Sequence, residues 1–505
     1  MFAWTEGRRI KMDILLDKLG TRKVKILELL ISEDRYWRLD EIADRIKSSK
    51  KTVQLDMKMI QHDIAEWSTD EIKLDVSSRG SFLKKSNDFY MHKIYLSYIK
   101  AGIPYHLFDA LFQEDIESLT YFAEDQHVSY TSFYKQIKEL REWLDYYAIS
   151  IVNNPPAFRG TEKQIRYCGM HIYWRVFKGL EWPFPTIDRE PILEMIIAAE
   201  KVYGHTFNLI EREQTAYWAA CAQVRILGGD LIDCVEEFQG IKEGNPLYKE
   251  LEPLILNMFK EMPLSGDALS NEVDYIFSLF NIIPHQIETT ELVKDTVGFL
   301  KQNQLPSYQA TELILDEFLK NLHTIGLKKD NLLLIESLSS IHYHAYLFKA
   351  DSIRFYFSKF AYNERKYHRL FYKKFQPIAE RLAKIPEVAP IFEQSEFLFN
   401  HYIPFIAPYI DWSYYEKIIR VQILTENGRY TEIKLGKDII NILPHRLEIV
   451  SSYQLEPAHE AEVDLIVTDC LITGIDTPVF ICKIPPTMGD WTRLERYISD
   501  ISMRE

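Results

Sequence analysis

Apolar residues in the N-terminal part of the chain recur at helical spacing. Val24-Lys-Ile-Leu-Glu-Leu-Leu-Ile reads as a first helix and Leu39-Asp-Glu-Ile-Ala-Asp-Arg-Ile as a second. A third begins after Ser48-Ser49, where Val53, Met57, Ile60 and Ile64 form one stripe. Ser49 suits an N-cap, and Ala43 is small where two helices must cross. Then Ile72, Leu74 and Val76 alternate, Ser78-Arg79-Gly80 supplies a turn, and Phe82-Leu83 restart a strand. Three helices and a hairpin are the plan of a winged helix-turn-helix, whose third helix enters the major groove.

The pattern repeats at a spacing of 80. That shift carries Leu39 to Leu119, Ile42 to Phe122, Ala43 to Ala123, Ser49 to Ser129 and Thr52 to Ser132. It also carries Val53 to Phe133, Met57 to Ile137, Ile60 to Leu140 and Ile64 to Leu144. Each pair keeps the apolar, small or hydroxyl character that the packing needs. A second alternating stretch, Ile149-Ser-Ile-Val, precedes the turn Asn153-Asn-Pro-Pro. Two such units in tandem are far harder to obtain by accident than one.

From Glu162 to about Ala407 the pattern is helical with short breaks, including segments over 273–283 and 352–362. Two bundles, 162–285 and 286–408, suit domain-size expectations. The C-terminus changes character. Ile418-Ile-Arg-Val-Gln-Ile-Leu, Arg446–Val450, Val463-Asp-Leu-Ile-Val and Pro478-Val-Phe-Ile-Cys-Lys-Ile read as strands. Helices over Thr431–Leu443 and Trp491–Ile501 alternate with them, which predicts a parallel α/β sheet.

The net charge of −14 over 505 residues argues at first against a nucleic-acid partner. Its distribution changes that reading. Residues 1–60 hold 14 Lys and Arg against 10 Asp and Glu, a local +4, which leaves −18 for the rest. The five cysteines form no CxxC and read as reduced, buried thiols of a cytosolic protein, with neither disulfide nor zinc. The first residues lack the apolar core of a signal peptide, and no stretch is long and apolar enough to span a membrane. A cytoplasmic protein is expected.

The faces opposite the apolar stripes are the candidate DNA-binding surfaces. The first unit presents Lys50, Lys51, Gln54 and Lys58, with Arg79, Lys84 and Lys85 on its wing. The second presents Tyr130, Thr131, Tyr134, Lys135, Lys138 and Arg141, its charge diluted by Glu139 and Glu142. Lys and Arg neutralise phosphates or read guanine, while Gln pairs with adenine.

With its tandem units followed by Phe158-Arg-Gly-Thr-Glu-Lys-Gln-Ile-Arg-Tyr and Trp182-Pro-Phe-Pro185, the chain resembles the Mga family of virulence regulators. The order of modules carries the likeness, which extends over nearly the whole chain. The resemblance implies a mainly α multidomain protein in five parts. Two winged helix-turn-helix units would occupy 1–87 and 88–161, and two helical domains of the phosphotransferase-system (PTS) regulation type 162–285 and 286–408. A C-terminal α/β domain, 409–505, would resemble the EIIB component of sugar transporters and mediate dimerisation. A working EIIB needs a thiolate in the loop after its first strand; this chain has Thr425-Glu-Asn-Gly there, so that domain is expected to be catalytically silent.

Family members are tuned by histidine phosphorylation, which adds nearly two negative charges. The second helical domain holds His323, His342, His344, His368 and His401. His342 and His344, in Ser339-Ser-Ile-His-Tyr-His-Ala-Tyr, lie where the resemblance places acceptors, and His401 is a third candidate. In the first helical domain the acceptor position falls near Glu211-Arg-Glu213. His171 and His205 lie elsewhere, and no phosphorylation is expected there; Glu213 could mimic a charged state.

The chain has no G-x-x-x-x-G-K-[ST], H-E-x-x-H, G-x-S-x-G or strand-anchored G-x-G-x-x-G, so neither an enzyme nor a cofactor is expected. The function expected is a DNA-binding transcriptional regulator, an activator of virulence or carbohydrate-related genes. Its partners would be double-stranded DNA, further copies of itself in a homodimer or higher oligomer, a PTS phosphocarrier protein and RNA polymerase, with no membrane. The alternative is a PTS-regulated antiterminator binding RNA, but those carry a β-rich N-terminal module, and residues 1–160 here are helical in pattern.

Overall fold

The computed structural model describes residues 12–66, 71–233, 236–282, 289–349, 368–443, 445–450 and 463–502. The helix expected over 352–362, and Cys234, lie outside them. The chain divides into two compact units. One lies within Met1–Leu305 with Tyr346–Asp351, the other within Pro306–Ala345 with Ser352–Glu505.

The first unit opens with a 3-10 turn, Met12–Leu15, then α1 (Lys18–Ser32), α2 (Leu39–Ile46) and α3 (Lys50–Glu66). The strands β1 (Ile72–Ser77) and β2 (Gly80–Lys85) follow as an antiparallel hairpin, with Ser77 opposite Gly80. Ile72 and Leu74 are buried as the alternation predicts, but Val76 is exposed, because the strand has left the core by then. Trp37 widens the hairpin from the other side: its N–H and C=O both bond to Ser81, each at 2.8 Å. Gly80 is required there. Its φ is +122°, and a Cβ would come 2.5 Å from the Trp37 carbonyl oxygen.

The second copy comprises α4 (His92–Lys100), α5 (Ile103–Phe112), α6 (Leu119–Asp125), α7 (Tyr130–Gln136), α8 (Lys138–Tyr146), β3 (Ser150–Asn153) and β4 (Pro156–Arg159). The spacing of 80 holds in backbone geometry as well as in composition. Lys47 and His127 both take the left-handed conformation, at φ 55° and 54°. Ser48 N–H bonds to Ala43 C=O and Val128 N–H to Ala123 C=O, both at 3.0 Å. Ser49 caps α3 through Thr52 N–H at 3.1 Å, and Ser129 caps α7 through Ser132 N–H at 3.3 Å. The copies part company at Ile137. There the segment matching the continuous α3 divides into α7 and α8, although Ile137 N–H still reaches Phe133 C=O.

Two ion pairs brace the first copy, and one hydrogen bond ties it to the second. Arg22 forks onto Asp56 at 2.8 and 3.0 Å, joining α1 to α3. Asp63 accepts from Lys23 at 2.8 Å and from the Tyr98 hydroxyl of α4 at 2.7 Å.

The rest of this unit is helical: α9 (Glu162–Phe177), α10 (Glu190–Tyr203), α11 (Leu209–Gly228), α12 (Glu236–Gln239), α13 (Pro246–Met258), α14 (Gly266–Asn281) and α15 (Glu291–Asn303). The sequence puts α15 at the head of the second bundle; in the structure it packs on α13. Nearly every turn of α9 is buried. Its Gly169 lies against the ring of Phe112, where a Cβ would come 2.1 Å from Cε2. Fully buried Arg166 forks onto buried Glu272 at 2.5 and 2.8 Å and bonds Glu162 at 2.9 Å. Arg225 of α11 bonds both Glu162 oxygens at 3.1 Å and donates to Phe112 C=O at 3.3 Å, joining the second winged copy to the helices behind it.

In the other unit, α16 (Pro306–Asn321), α17 (Leu332–Leu347), α18 (Arg369–Leu382), α19 (Ala389–Phe392) and α20 (Ser395–Ile406) precede the sheet. The strands β5 (Ile419–Leu424), β6 (Leu447–Val450), β7 (Leu465–Thr468) and β8 (Val479–Ile481) are all parallel, in the order β6-β5-β7-β8. Ile419, Val421, Ile423, Leu465 and Val467 form a core with Leu435 and Ile439 of α21 (Arg429–Ile442) and Leu494 and Ile498 of α22 (Met488–Ser502). This is the parallel sheet that the strand and helix runs predict.

Candidate nucleic-acid interface

The buried stripe of α3, namely Val53, Met57, Ile60 and Ile64, fixes its opposite face. Lys50, Lys51, Gln54 and Lys58 are all exposed on the solvent side. None of these lysines pairs with a carboxylate among the described residues, whereas Arg22, Lys23 and Arg35 of the same unit are held by Asp56, Asp63 and Glu41. The outward face of α3 thus carries three unpaired lysines, while Asp56 and Asp63 are taken up by Arg22 and Lys23. On the hairpin Lys84 and Lys85 are exposed, and Arg79 at its tip lies 4.7 Å over the Tyr36 ring and bonds its hydroxyl at 3.3 Å. Tyr36 in turn donates to Asp75 at 2.7 Å, so the wing tip is braced.

The second copy presents a weaker surface. Tyr130, Thr131, Lys135 and Lys138 are exposed; Lys138 pairs with Glu142 at 3.7 Å, and Tyr130 donates to the Tyr134 hydroxyl at 2.9 Å. Arg141 is engaged within its own copy. It is partly buried and donates to Ile151 C=O and Asn153 Oδ1, each at 3.1 Å. Its guanidinium thereby ties the second hairpin to α8.

The candidate acceptor histidines are enclosed. His342, His344 and His401 are all buried, at 0, 7 and 3% exposure. Nδ1 of His342 lies 2.8 Å from the Thr311 hydroxyl and 3.2 Å from Ser307 C=O, and Tyr402 bonds Nε2. Burial holds this ring at a pKa of about 3 and that of His401 at about 4, so both are neutral and, in this conformation, closed to a phosphocarrier. The more accessible rings are His323, exposed and stacked on Tyr414 at 3.6 Å, and His368, bonded to Glu416 at 2.7 Å. In the first helical region Glu211 completes a capping box with Asn208, and Glu213 is bonded to Arg189. His171 is buried against the Tyr147 hydroxyl at 3.0 Å.

Glu336 on α17 is buried, and burial lifts its carboxyl to about 7, with only the Ser337 hydroxyl opposing the shift. A carboxyl whose folded pKa lies above its unfolded one holds a proton that the unfolded chain has lost. Stability therefore falls as pH rises from about 4.5 to 7. His342 and His401 act in the opposite sense, losing stability as pH falls below 6.5. Glu336→Gln is expected to be more stable than the parent by roughly 1–3 kcal/mol at pH 8 and equal to it near pH 4. Denaturant unfolding of both proteins across that range checks this; a constant difference would count against it.

At the mouth of the parallel sheet, Asp469 accepts from the Thr425 hydroxyl at 2.8 Å and from Glu426 N–H at 3.1 Å. A carboxylate thus occupies donors of the loop after β5. Cys470 beside it is exposed, against the expectation of buried thiols, and Asp469 pushes its pKa up, away from a reactive thiolate.

A family model described as the Mga helix-turn-helix domain matches residues 87–173. The chain is 18% identical over 496 residues to the capsule synthesis positive regulator AcpB of Bacillus anthracis, covering 96% of this chain and 99% of that protein. It is 21% identical to the anthrax toxin expression trans-acting positive regulator of the same organism, over 47% of this chain and 49% of that protein. The capsule synthesis positive regulator AcpA is 20% identical over 61 and 62% of the two chains. Residues 87–173 are thus similar to the Mga helix-turn-helix domain, and the whole chain to a named positive regulator. The match extends through α4 to α8, the second hairpin and most of α9, so the family's helix-turn-helix domain is the second copy. These Mga-type relatives are named as positive regulators rather than enzymes, in keeping with the missing catalytic motifs. No helix among the described residues is long and apolar enough to cross a membrane.

Three features of the chain leave no signal in its sequence pattern. Trp37, a single residue between α1 and α2, gives no periodic signal, yet it carries the extra strand pairing. Asp56 falls outside the apolar stripe of α3, yet it is 2% exposed and paired with Arg22. Leu55 and Met59, outside the apolar stripe of α3, are exposed and interrupt its polar face.

Proposed function

We propose that this chain is a DNA-binding transcriptional regulator of the activating kind, as its relatives are named. The observation that carries this reading is the outward face of α3, where three lysines and Gln54 stand exposed beside a braced wing bearing Lys84 and Lys85. Such a face neutralises phosphates along a major groove. The second copy, with Lys135 and Lys138, would add backbone contacts more than base readout. In this reading residues 1–87 and 88–161 bind DNA, 162–285 and 286–408 are regulatory and 409–505 joins copies of the chain.

Supporting that last role, α21 leaves Tyr430, Ile433 and Ile440 exposed along one side. Light scattering should give a mass of at least two chains, falling on Ile433→Glu/Ile440→Glu. Phosphoryl transfer from a PTS phosphocarrier to His342, His344 or His401 would require α17 and α20 to separate from their neighbours. Mass spectrometry after incubation with such a carrier should find any label within 286–408. RNA polymerase is a further partner in this reading.

The decisive test is a gel shift with long duplex DNA at several salt concentrations. A shift that weakens steeply with salt is expected; its absence would overturn the DNA reading. Tighter binding to structured RNA would point to the antiterminator alternative.

A further inference from the structure

Resting on the DNA reading, we infer that Leu55 and Met59 contact thymine methyl groups, making the first winged copy the base-discriminating head of the chain. Successive residues of a helix turn by about 100°. Leu55 therefore lies nearly opposite the centre of the buried stripe formed by Val53, Met57, Ile60 and Ile64. It is 54% exposed, and Met59, one turn on, is 43% exposed. Leu55 stands between Lys51 and Lys58, one turn away on either side, and neither lysine is paired with a carboxylate among the described residues; Met59 extends the apolar patch along the helix.

That mixture selects its occupant. A protein surface covering Leu55 would have to desolvate or pair the surrounding lysines. A major groove satisfies both demands, with phosphates at its rims for the lysines and, on its floor, the thymine C5-methyl, the one apolar group on a base edge there. The spacing of 80 supplies a control within the chain, since the residue matching Leu55 is exposed Lys135 and that matching Met59 is exposed Glu139. The second copy thus has no apolar group at the point of closest approach.

The test uses the full chain and two duplexes of alternating A·T sequence, identical except that uracil replaces thymine in one, which deletes only the C5-methyl. Fluorescence anisotropy should show about three- to tenfold tighter binding to the thymine duplex, in line with burial of one or two methyl groups. In Leu55→Ala/Met59→Ala that preference should vanish while salt-dependent binding persists. Leu55→Lys/Met59→Ala should bind both duplexes alike, with a steeper salt dependence. Because both side chains are exposed, the melting temperature serves as the check that these variants fold. Equal affinity of the parent for both duplexes would overturn the inference and leave DNA binding standing. A preference that survives the double substitution would overturn the assignment to these side chains. No binding to either duplex would remove the DNA reading and the inference together.

Discussion

Replacing Lys50, Lys51 and Lys58 together with alanine is expected to cost on the order of a hundredfold in affinity for any duplex at low salt. The slope of log affinity against log salt should also fall in magnitude by about 2.7, because each lost phosphate contact releases fewer counterions. All three side chains are exposed and none is paired among the described residues, so folding should be unaffected. Titration of a fluorescent duplex at four salt concentrations gives both quantities. Unchanged affinity and slope would mean that α3 is not the DNA-facing helix. The same change at Lys84 and Lys85 should reduce the slope less, as only two charges are lost.

The largest effect on stability is expected at Arg166. Its guanidinium and the Glu272 carboxylate are both fully buried, and Glu162, also bonded to Arg166, is largely buried. Arg166→Met would leave Glu272 without its cation, a loss of about 3–5 kcal/mol. The double change Arg166→Met/Glu272→Met removes both charges and should recover part of that loss, since a buried pair and a packed apolar pair of similar volume are close in stability. Recovery would be incomplete, because Glu272 also accepts the Ile232 N–H at 2.9 Å and Glu162 keeps only Arg225. Denaturant unfolding followed by intrinsic fluorescence is a suitable readout. A single variant as stable as the parent would show that the pair is dispensable.

Local periodicity made the winged copies legible, because their packing uses helices with one apolar stripe each. The same method could not see Trp37, whose strand is a single residue long, nor the division of α7 from α8, since Gln136-Ile137-Lys138 contains no breaking residue. The histidines illustrate a different limit. The resemblance to a phosphorylated family drew attention to His342 and His344, yet Leu338, Ile341, Tyr343 and Ala345 around them are apolar on every side of the turn. A helix apolar all round is buried all round. Read in that way, the residues themselves point to enclosed rings. Arg141 shows the reverse case: the residue type suits phosphate, but its position beside a hairpin of bare carbonyls gave it a structural use.

One consequence concerns where this chain can be cut. Composition suggests a boundary near 161, between the second winged copy and the helices that follow. Phe112 of α5 rests in the notch at Gly169, Tyr173 of α9 donates to Asp109 at 2.7 Å, and Arg225 caps the end of α5 through Phe112 C=O. A fragment ending at 161 would therefore be stripped of α9 and would expose the aromatic underside of the second winged copy. Excision has to follow the packing, and the shortest self-sufficient fragment carries α9 as its floor.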